Sequence, residues 1–267
     1  MMKIGFIGLG NMGGSLARLV AQDERFRSEL LLANRSRDKA EKIAAEVGGQ
    51  PVSNAEVFAQ AEVIFLGVKP AQFEGLLADY QEVLEKRESL LLVSMAAGLT
   101  LEILQKLIPS HHRWIRMMPN TPIAVGEGVI SYALSQQAHQ EDEDLFRELL
   151  SSAGILVKLD EKQLDAATAL AGCGPAFVYL FIEALADAGV RAGLSRDISL
   201  QLANQTLLGA AKLSQISGQH PAQLKDQVCS PSGSTIAGVA SLEENAFRGT
   251  VMAAVQAAYQ RTQELGK

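Results

Sequence analysis

A glycine loop placed directly after the first apolar run constrains this chain more than any other feature. Residues 3–8 are nearly all hydrophobic, and Gly8-Leu9-Gly10-Asn11-Met12-Gly13 comes at once after them and opens a helical pattern. In that context each glycine has a reason. Gly8 permits a tight turn, Gly10 lets a pyrophosphate approach the backbone, and Gly13 lets helix and strand pack closely. The helix start adds free N–H groups and the positive end of its dipole. A turn that is glycine-rich by chance would show the same letters, but the regular alternation of apolar runs and helical segments downstream argues against it.

Short apolar runs recur at 29–33, 62–68 and 90–95, with helix-like segments at 13–21, 37–47 and 73–84 between them. Near-continuous hydrophobic strands alternating with helices describe a parallel sheet buried on both faces. Thr100 is a good N-cap for the next helix, with Glu102 in its first turn. Further strands are expected at 114–118, 129–132 and 155–159, with a helix over 141–151 before the last. The fold class read from this is α/β, a Rossmann-type doubly wound sheet followed by an all-α dimerisation domain. The expected division is 1–159 for the dinucleotide-binding domain and 160–267 for the helical domain.

No strand candidate follows residue 160. Pro175 suits the first turn of a helix reaching about 192, Ser195 caps another reaching 217, Gly218 ends it, and shorter and longer helices are expected at 236–240 and 242–265. The 175–192 helix is apolar nearly all round, with only Glu183, Asp187 and Arg191 as a polar stripe. Such a helix must be covered on nearly all sides. A homodimer built on the helical half covers it most simply; a tightly packed monomeric bundle is the alternative.

Composition removes several classes. With 24 Lys plus Arg against 30 Asp plus Glu, the net charge of −6 disfavours a nucleic-acid binder. Cys173 and Cys229 make no disulfide framework, and the four scattered histidines point to no metal site. No stretch reads as apolar over the length of a membrane span. Residues 2–9 carry a lysine and run into Gly-Leu-Gly rather than a cleavage site, so they read as a strand and not a signal sequence. The expected location is the cytoplasm.

The end of the second strand selects the cofactor. An NAD site places an acidic residue there for the ribose hydroxyls. Here the segment is Asn34-Arg35-Ser36-Arg37, an amide, a hydroxyl and two guanidinium groups. These are phosphate donors, so the expectation is NADPH in preference to NADH; a solvated turn is the alternative. At the carboxyl ends of later strands lie Val68-Lys69-Pro70, then Ala96-Ala97-Gly98, then Asn120. Lys69 could reach ribose or phosphate. The small residues Ala96 and Ala97 would let the nicotinamide near the backbone, and Asn120 offers an amide to the same region. In the helical half, Ser230-Pro231-Ser232-Gly233-Ser234-Thr235 leads into a helix start. It could take a substrate carboxylate on backbone N–H groups and hydroxyls, or it could simply be an N-cap.

These segments together resemble the pyrroline-5-carboxylate reductase family. The matching pieces are Ile7 to Gly13, Val68-Lys69-Pro70, residues 94–98, Arg116-Met117-Met118-Pro119-Asn120-Thr121-Pro122, residues 171–176 and residues 230–238, in the family's order. The resemblance implies reduction of Δ1-pyrroline-5-carboxylate to L-proline by NADPH or NADH. It implies a helical domain interleaved with its dimer mate and, in some members, rings of dimers. It also implies that Gly233, Ser234 and Thr235 hold the substrate carboxylate, with Thr235 or a water as a proton source. Two departures stand out. Ser232 replaces a usual glycine, and Cys173 replaces a frequent serine. The β-hydroxyacid dehydrogenases open similarly, but Lys212 and Lys225 lie outside their catalytic motif. A non-catalytic regulatory dimer on the same fold is the remaining rival.

Overall fold

A sheet of eight strands organises the first 160 residues of the computed structural model, which describes residues 2–265. The strands are β1 (Ile4–Ile7), β2 (Leu30–Ala33), β3 (Gln50–Pro51), β4 (Val63–Leu66), β5 (Leu91–Ser94), β6 (Arg113–Pro119), β7 (Gly128–Leu134) and β8 (Gly154–Lys158). Their order in the sheet is β3-β2-β1-β4-β5-β6-β7-β8, and only β6 and β7 run antiparallel. The chain therefore winds outward in one direction from β1 to β3, then in the other from β4. The crevice at the carboxyl end of β1 lies at that switch.

The helices of this part are α1 (Asn11–Val20), α2 (Glu24–Arg27), α3 (Arg37–Val47), α4 (Asn54–Gln60), α5 (Phe73–Asp79), α6 (Gln81–Lys86), α7 (Leu101–Lys106), α8 (Gln140–Leu149) and α9 (Leu164–Ala167). Alternate strand residues feed two separate cores. Phe6, Leu32, Phe65 and Val93 pack with α1, α3 and α8, whereas Ile7, Leu31, Ile64 and Leu92 pack with α4 to α7. This two-sided burial is why the strands read as unbroken apolar runs.

Three local expectations need correction. β3 and α4 were not anticipated: β3 has two exposed residues, while α4 carries a capping box in which Ser53 and Glu56 bond each other's backbone N–H. The 73–84 helix is two helices, broken at Tyr80. The expectation that no stretch could span a membrane also fails on length, because α9, a π-type turn (Thr168–Gly172) and α10 (Gly174–Arg191) join into one helical run, Glu161–Arg191, long and apolar enough to cross one.

Strand content ends at Lys158, but the compact units divide later, between Cys173 and Gly174. Arg116 on β6 gives the physical reason. Its guanidinium is almost wholly buried and bonds Glu161 (3.2 Å) and Asp165 (3.0 Å), and Leu164 beside them is fully buried. Breaking one partner of such a buried charge typically costs about 3–5 kcal/mol. Residues 161–173 are thus held to the sheet.

The second unit runs from Gly174 to Ala257 and contains α10, α11 (Arg196–Ser217), α12 (Pro221–Val228), α13 (Ser234–Glu244) and the first part of α14 (Phe247–Leu265). α10 and α11 form a hairpin in which a Cβ on Gly189 would come within 2.6 Å of the buried Ser199 hydroxyl. α13 is longer than expected, and Ala246, with φ of 55°, separates it from α14. Of α10's 18 residues only Ala186 is buried within the single chain. Among the described residues, 18 of the 22 exposed large hydrophobics fall in this unit, so its apolar faces are uncovered in one copy.

His112 gives the first unit a pH dependence. Its Nδ1 accepts from Leu90 N–H (3.1 Å) and its Nε2 lies 3.0 Å from the Leu84 carbonyl. These contacts fit a neutral ring with the proton on Nε2. Burial first, and then the neighbouring His111, push its pKa from 6.5 down to about 4. The unfolded chain therefore binds the proton more readily, and this contribution to stability is complete above pH 6.5 and is lost as pH falls toward 4. Denaturant midpoints measured across that window should fall with pH, and less steeply in His112→Gln. An equal slope in the variant would remove His112 as a source.

Candidate cofactor and substrate sites

Three glycines bring backbone against backbone at the carboxyl end of β1. Gly8 has φ of +91°, and a Cβ there would meet Gly67 carbonyl carbon at 2.7 Å. A Cβ on Gly13 would lie 2.1 Å from the Gly8 oxygen, and one on Gly67 would lie 2.4 Å from the same oxygen. Gly10 differs. Its φ of −62° suits any residue, and a Cβ there would meet nothing within 4 Å. The protein's own packing does not require glycine at 10, whereas a group bound against its backbone would. Gly10 is also the N-cap of α1 and supplies no side-chain cap, so the first N–H groups of α1 stay free. This cradle suits a dinucleotide pyrophosphate.

Asn34 is placed differently from a simple phosphate donor. Its Oδ1 accepts from Leu9 N–H (3.0 Å), and its Nδ2 donates to the Ser36 carbonyl (3.2 Å). The amide thus ties the glycine loop to the turn after β2. Arg35 and Ser36 are exposed, and the Ser36 hydroxyl does not cap α3. Arg37 is drawn to Glu41 at 2.9 Å.

The later loops leave the same edge of the sheet, since β1, β4, β5 and β6 are in register from Ile7 through Leu66 and Ser94 to Arg116. Val68 is partly buried, while Lys69 and Pro70 are exposed at the start of a short 3-10 turn (Pro70–Gln72). Ala96 is buried, Ala97 is partly buried, and Gly98 turns the chain with φ of +83°. Asn120, buried, donates from Nδ2 to the Ala171 carbonyl (3.0 Å) and accepts at Oδ1 from Val129 N–H (2.8 Å). It clamps the loop after β6 to the π-type turn, a feature often found at functional sites. Residue type alone could not reveal these partners. Arg116 and Gly67, which brace the strand ends, were missed as site-building residues.

The 230–235 loop lies in the second unit. Ser232 has φ of 58°, so the departure from glycine falls on a left-handed residue and carries strain. A Cβ on Gly233 would sit 2.3 Å from Ser230 Oγ and 3.2 Å from the Ser230 carbonyl oxygen, so a side chain there would require the Ser230 hydroxyl to turn away. Gly233 is the N-cap of α13 and offers no side-chain cap. Ser234 and Thr235 occupy the first turn, exposed. A helix of 11 residues thus begins with open N–H groups beside two hydroxyls, an arrangement that accepts a carboxylate. Lys225, one of the two lysines considered for a hydroxyacid dehydrogenase, is paired with Asp226 at 2.5 Å.

Comparison with known proteins covers both units. Residues 161–265 match the family model described as pyrroline-5-carboxylate reductase dimerisation, and residues 3–98 match the NADP oxidoreductase coenzyme F420-dependent model. A pyrroline-5-carboxylate reductase of Pisum sativum is 45% identical over 264 residues, covering 98% of this chain and 95% of the relative. One from Synechocystis is 41% identical over 270 residues, with 100% and 99% covered. Among solved structures, Plasmodium falciparum pyrroline carboxylate reductase with NADP bound superposes with a TM-score of 0.88 at 36% identity, covering 100% of this chain and 98% of that one. The Coxiella burnetii pyrroline-5-carboxylate reductase gives 0.91 at 29% identity, covering 100% and 99%.

Two alanine substitutions separate the roles of the glycines. Gly10→Ala should change stability by at most about 1 kcal/mol and weaken dinucleotide binding roughly tenfold or more, because its Cβ meets only the ligand. Gly13→Ala should destabilise the fold itself by about 1–3 kcal/mol, because its Cβ meets backbone. Thermal melts and dinucleotide titrations of both variants check this; a Gly10→Ala protein that binds normally would contradict the cradle.

Proposed function

This chain belongs to the pyrroline-5-carboxylate reductase family, and from that premise we propose how its residues divide the work. The chain is an NAD(P)H-dependent oxidoreductase that reduces Δ1-pyrroline-5-carboxylate to L-proline, the last step of proline biosynthesis. The substrate is a cyclic imine bearing a carboxylate. The reduced nicotinamide supplies a hydride to C5 of that ring, and the ring nitrogen takes up a proton. The protein's tasks are to hold both molecules in contact, to fix the carboxylate and to keep water out.

In our reading, Gly8, Leu9, Gly10, Asn11, Met12 and Gly13 cradle the pyrophosphate. Asn34 sets the shape of the ribose-side loop, and Arg35 and Ser36 face the ribose. Val68, Lys69 and Pro70 border the cofactor, and Ala96 and Ala97 leave room for the nicotinamide. Asn120 orients that region through its bonds to Val129 and Ala171. The carboxylate rests on the N–H groups at Gly233, Ser234 and Thr235. The Thr235 hydroxyl, on the first turn of α13, serves as hydrogen-bond partner and proton source when the neutral imine binds. The open start of α13 carries this assignment, since neither a side-chain cap nor a carboxylate blocks it.

The same reading gives NADPH as the preferred cofactor, a homodimer joined through the helical unit, higher rings of dimers as in some family members, and a cytoplasmic location. The match to the dimerisation model over residues 161–265 supports a second copy, rather than lipid, as the cover for the apolar run Glu161–Arg191. The enzyme is expected to work without nucleic acid, membrane or metal.

Consumption of NADPH with the imine, with NADH in parallel and hydroxy acids plus NADP as the reverse control, tests the assignment. Thr235→Ala should lower kcat/KM by roughly ten- to a hundredfold, the worth of a hydrogen bond to a charged group. It should leave NADPH affinity unchanged, and Thr235→Ser should recover most of the activity. Unaltered kinetics in Thr235→Ala would remove that residue from the site.

A further inference from the structure

Five cations surround the phosphate loop and the start of α3, and two of them are already engaged. Arg18 is held by Glu46 at 2.5 Å and Arg37 by Glu41 at 2.9 Å. Among the described residues, Arg35, Lys39 and Lys42 have no ion-pair partner. Lys39 and Lys42 are one helical turn apart, on a common face of α3. That face looks onto the glycine loop: a cavity of about 340 Å³ is lined by Gly10, Asn11, Ser15 and Arg18 on one side and by Lys39 and Lys42 on the other. No carboxylate lines it.

The free N–H groups of α1 can take the pyrophosphate, which leaves Lys39 and Lys42, besides the engaged Arg18, for a second anion in the same cavity. The position of that anion follows from the chain. The residue after β2 reads the ribose hydroxyls in this fold. Here it is Asn34, whose amide is committed at both ends to Leu9 and Ser36. The chain runs from Asn34 directly into α3, so the unpaired cations that follow this point are Arg35 and, four residues on, Lys39.

We propose that Lys39, backed by Lys42, grips the 2′-phosphate of NADPH and sets its preference over NADH. This inference rests on the dinucleotide cradle described above and deepens it. The discriminating groups then lie on the first turns of α3, and Asn34 acts only as the brace that shapes their approach.

The test is binding without imine. Lys39→Gln, Lys42→Gln and Lys39→Arg are titrated with NADPH and with NADH, following nicotinamide fluorescence, and thermal melts confirm that each is folded. Lys39→Gln should weaken NADPH roughly tenfold or more, as expected for one charge-assisted bond, and change NADH by less than about twofold. Lys42→Gln should show the same selectivity with a smaller effect, and Lys39→Arg should stay close to the native protein. The salt dependence of NADPH affinity should flatten in Lys39→Gln. Equal weakening of both dinucleotides would overturn the proposal and assign the lysines to the pyrophosphate; unchanged NADPH affinity would also overturn it. If the native chain binds NADPH yet leaves the imine unreduced, the functional reading falls, and the affinities still decide this one.

Discussion

The contact among Gly8, Gly13 and Gly67 is the constraint on which the rest of the first unit depends. Here the end of β1, the start of α1 and the end of β4 touch through backbone atoms, and a Cβ on any of the three would lie 2.1–2.7 Å from another's main chain. Because no side chain intervenes, α1 starts directly over the crevice where the sheet reverses its winding. That placement aims its free N–H groups at the crevice. It also fixes the height at which the loops after β2, β4 and β5 emerge, because those strands are tied in register to β1. Asn34 then closes the arrangement by bonding Leu9 from the neighbouring loop. Each group at this crevice is thus placed by main-chain geometry, and side chains adjust it.

How much of this was legible depends on whether a feature writes a pattern. The strands β1, β2, β4 and β5 did, because each has four consecutive buried residues and these are nearly all apolar. The glycine loop did, because main-chain contact at Gly8 and Gly13 leaves no other residue to use. β3 did not, since two exposed residues at the sheet edge carry no periodicity. The capping box of α4 was written plainly as Ser53-Asn54-Ala55-Glu56 before Val57 and Phe58, and it was readable but unread. The break at Tyr80 and the π-type turn have no comparable mark. Asn34 and Asn120 were picked out by type and place, but an amide can serve a ligand or its own backbone, and only geometry tells which. Arg116 stood out only as part of a motif; its burial against Glu161 and Asp165 emerges when the strand and the helix start are brought together.

The helical unit poses the opposite problem. Its helices are as apolar as a core, but a single copy covers little of them. Composition cannot separate a surface meant for lipid from one meant for protein, since both reward the same side chains. What separates them is that the dimerisation match and the apolar run both begin at residue 161. Hydrophobic exposure this extensive calls for a partner, and an identical chain presents the matching surface by symmetry.

The way helices begin distinguishes scaffold from site. α4, α7 and α11 start with Ser53, Thr100 and Ser195, whose hydroxyls accept backbone N–H bonds. These helix starts satisfy themselves. α1 and α13 start with Gly10 and Gly233 and have no side-chain cap, and α3 starts with Ser36, whose hydroxyl stays out of the cap. α5, α6 and α9 also lack a side-chain cap, but each continues directly from a preceding helical turn. A cap removed from a helix typically costs about 1 kcal/mol, so the open starts of α1, α3 and α13, which no helix directly precedes, are unfavourable unless something else satisfies them. In the proposed reading an anion does: the pyrophosphate at α1, the 2′-phosphate beside α3 and the substrate carboxylate at α13. On this argument the bound molecules complete the helices, and the chain should gain stability when it binds them by the ordinary linkage between ligand and fold.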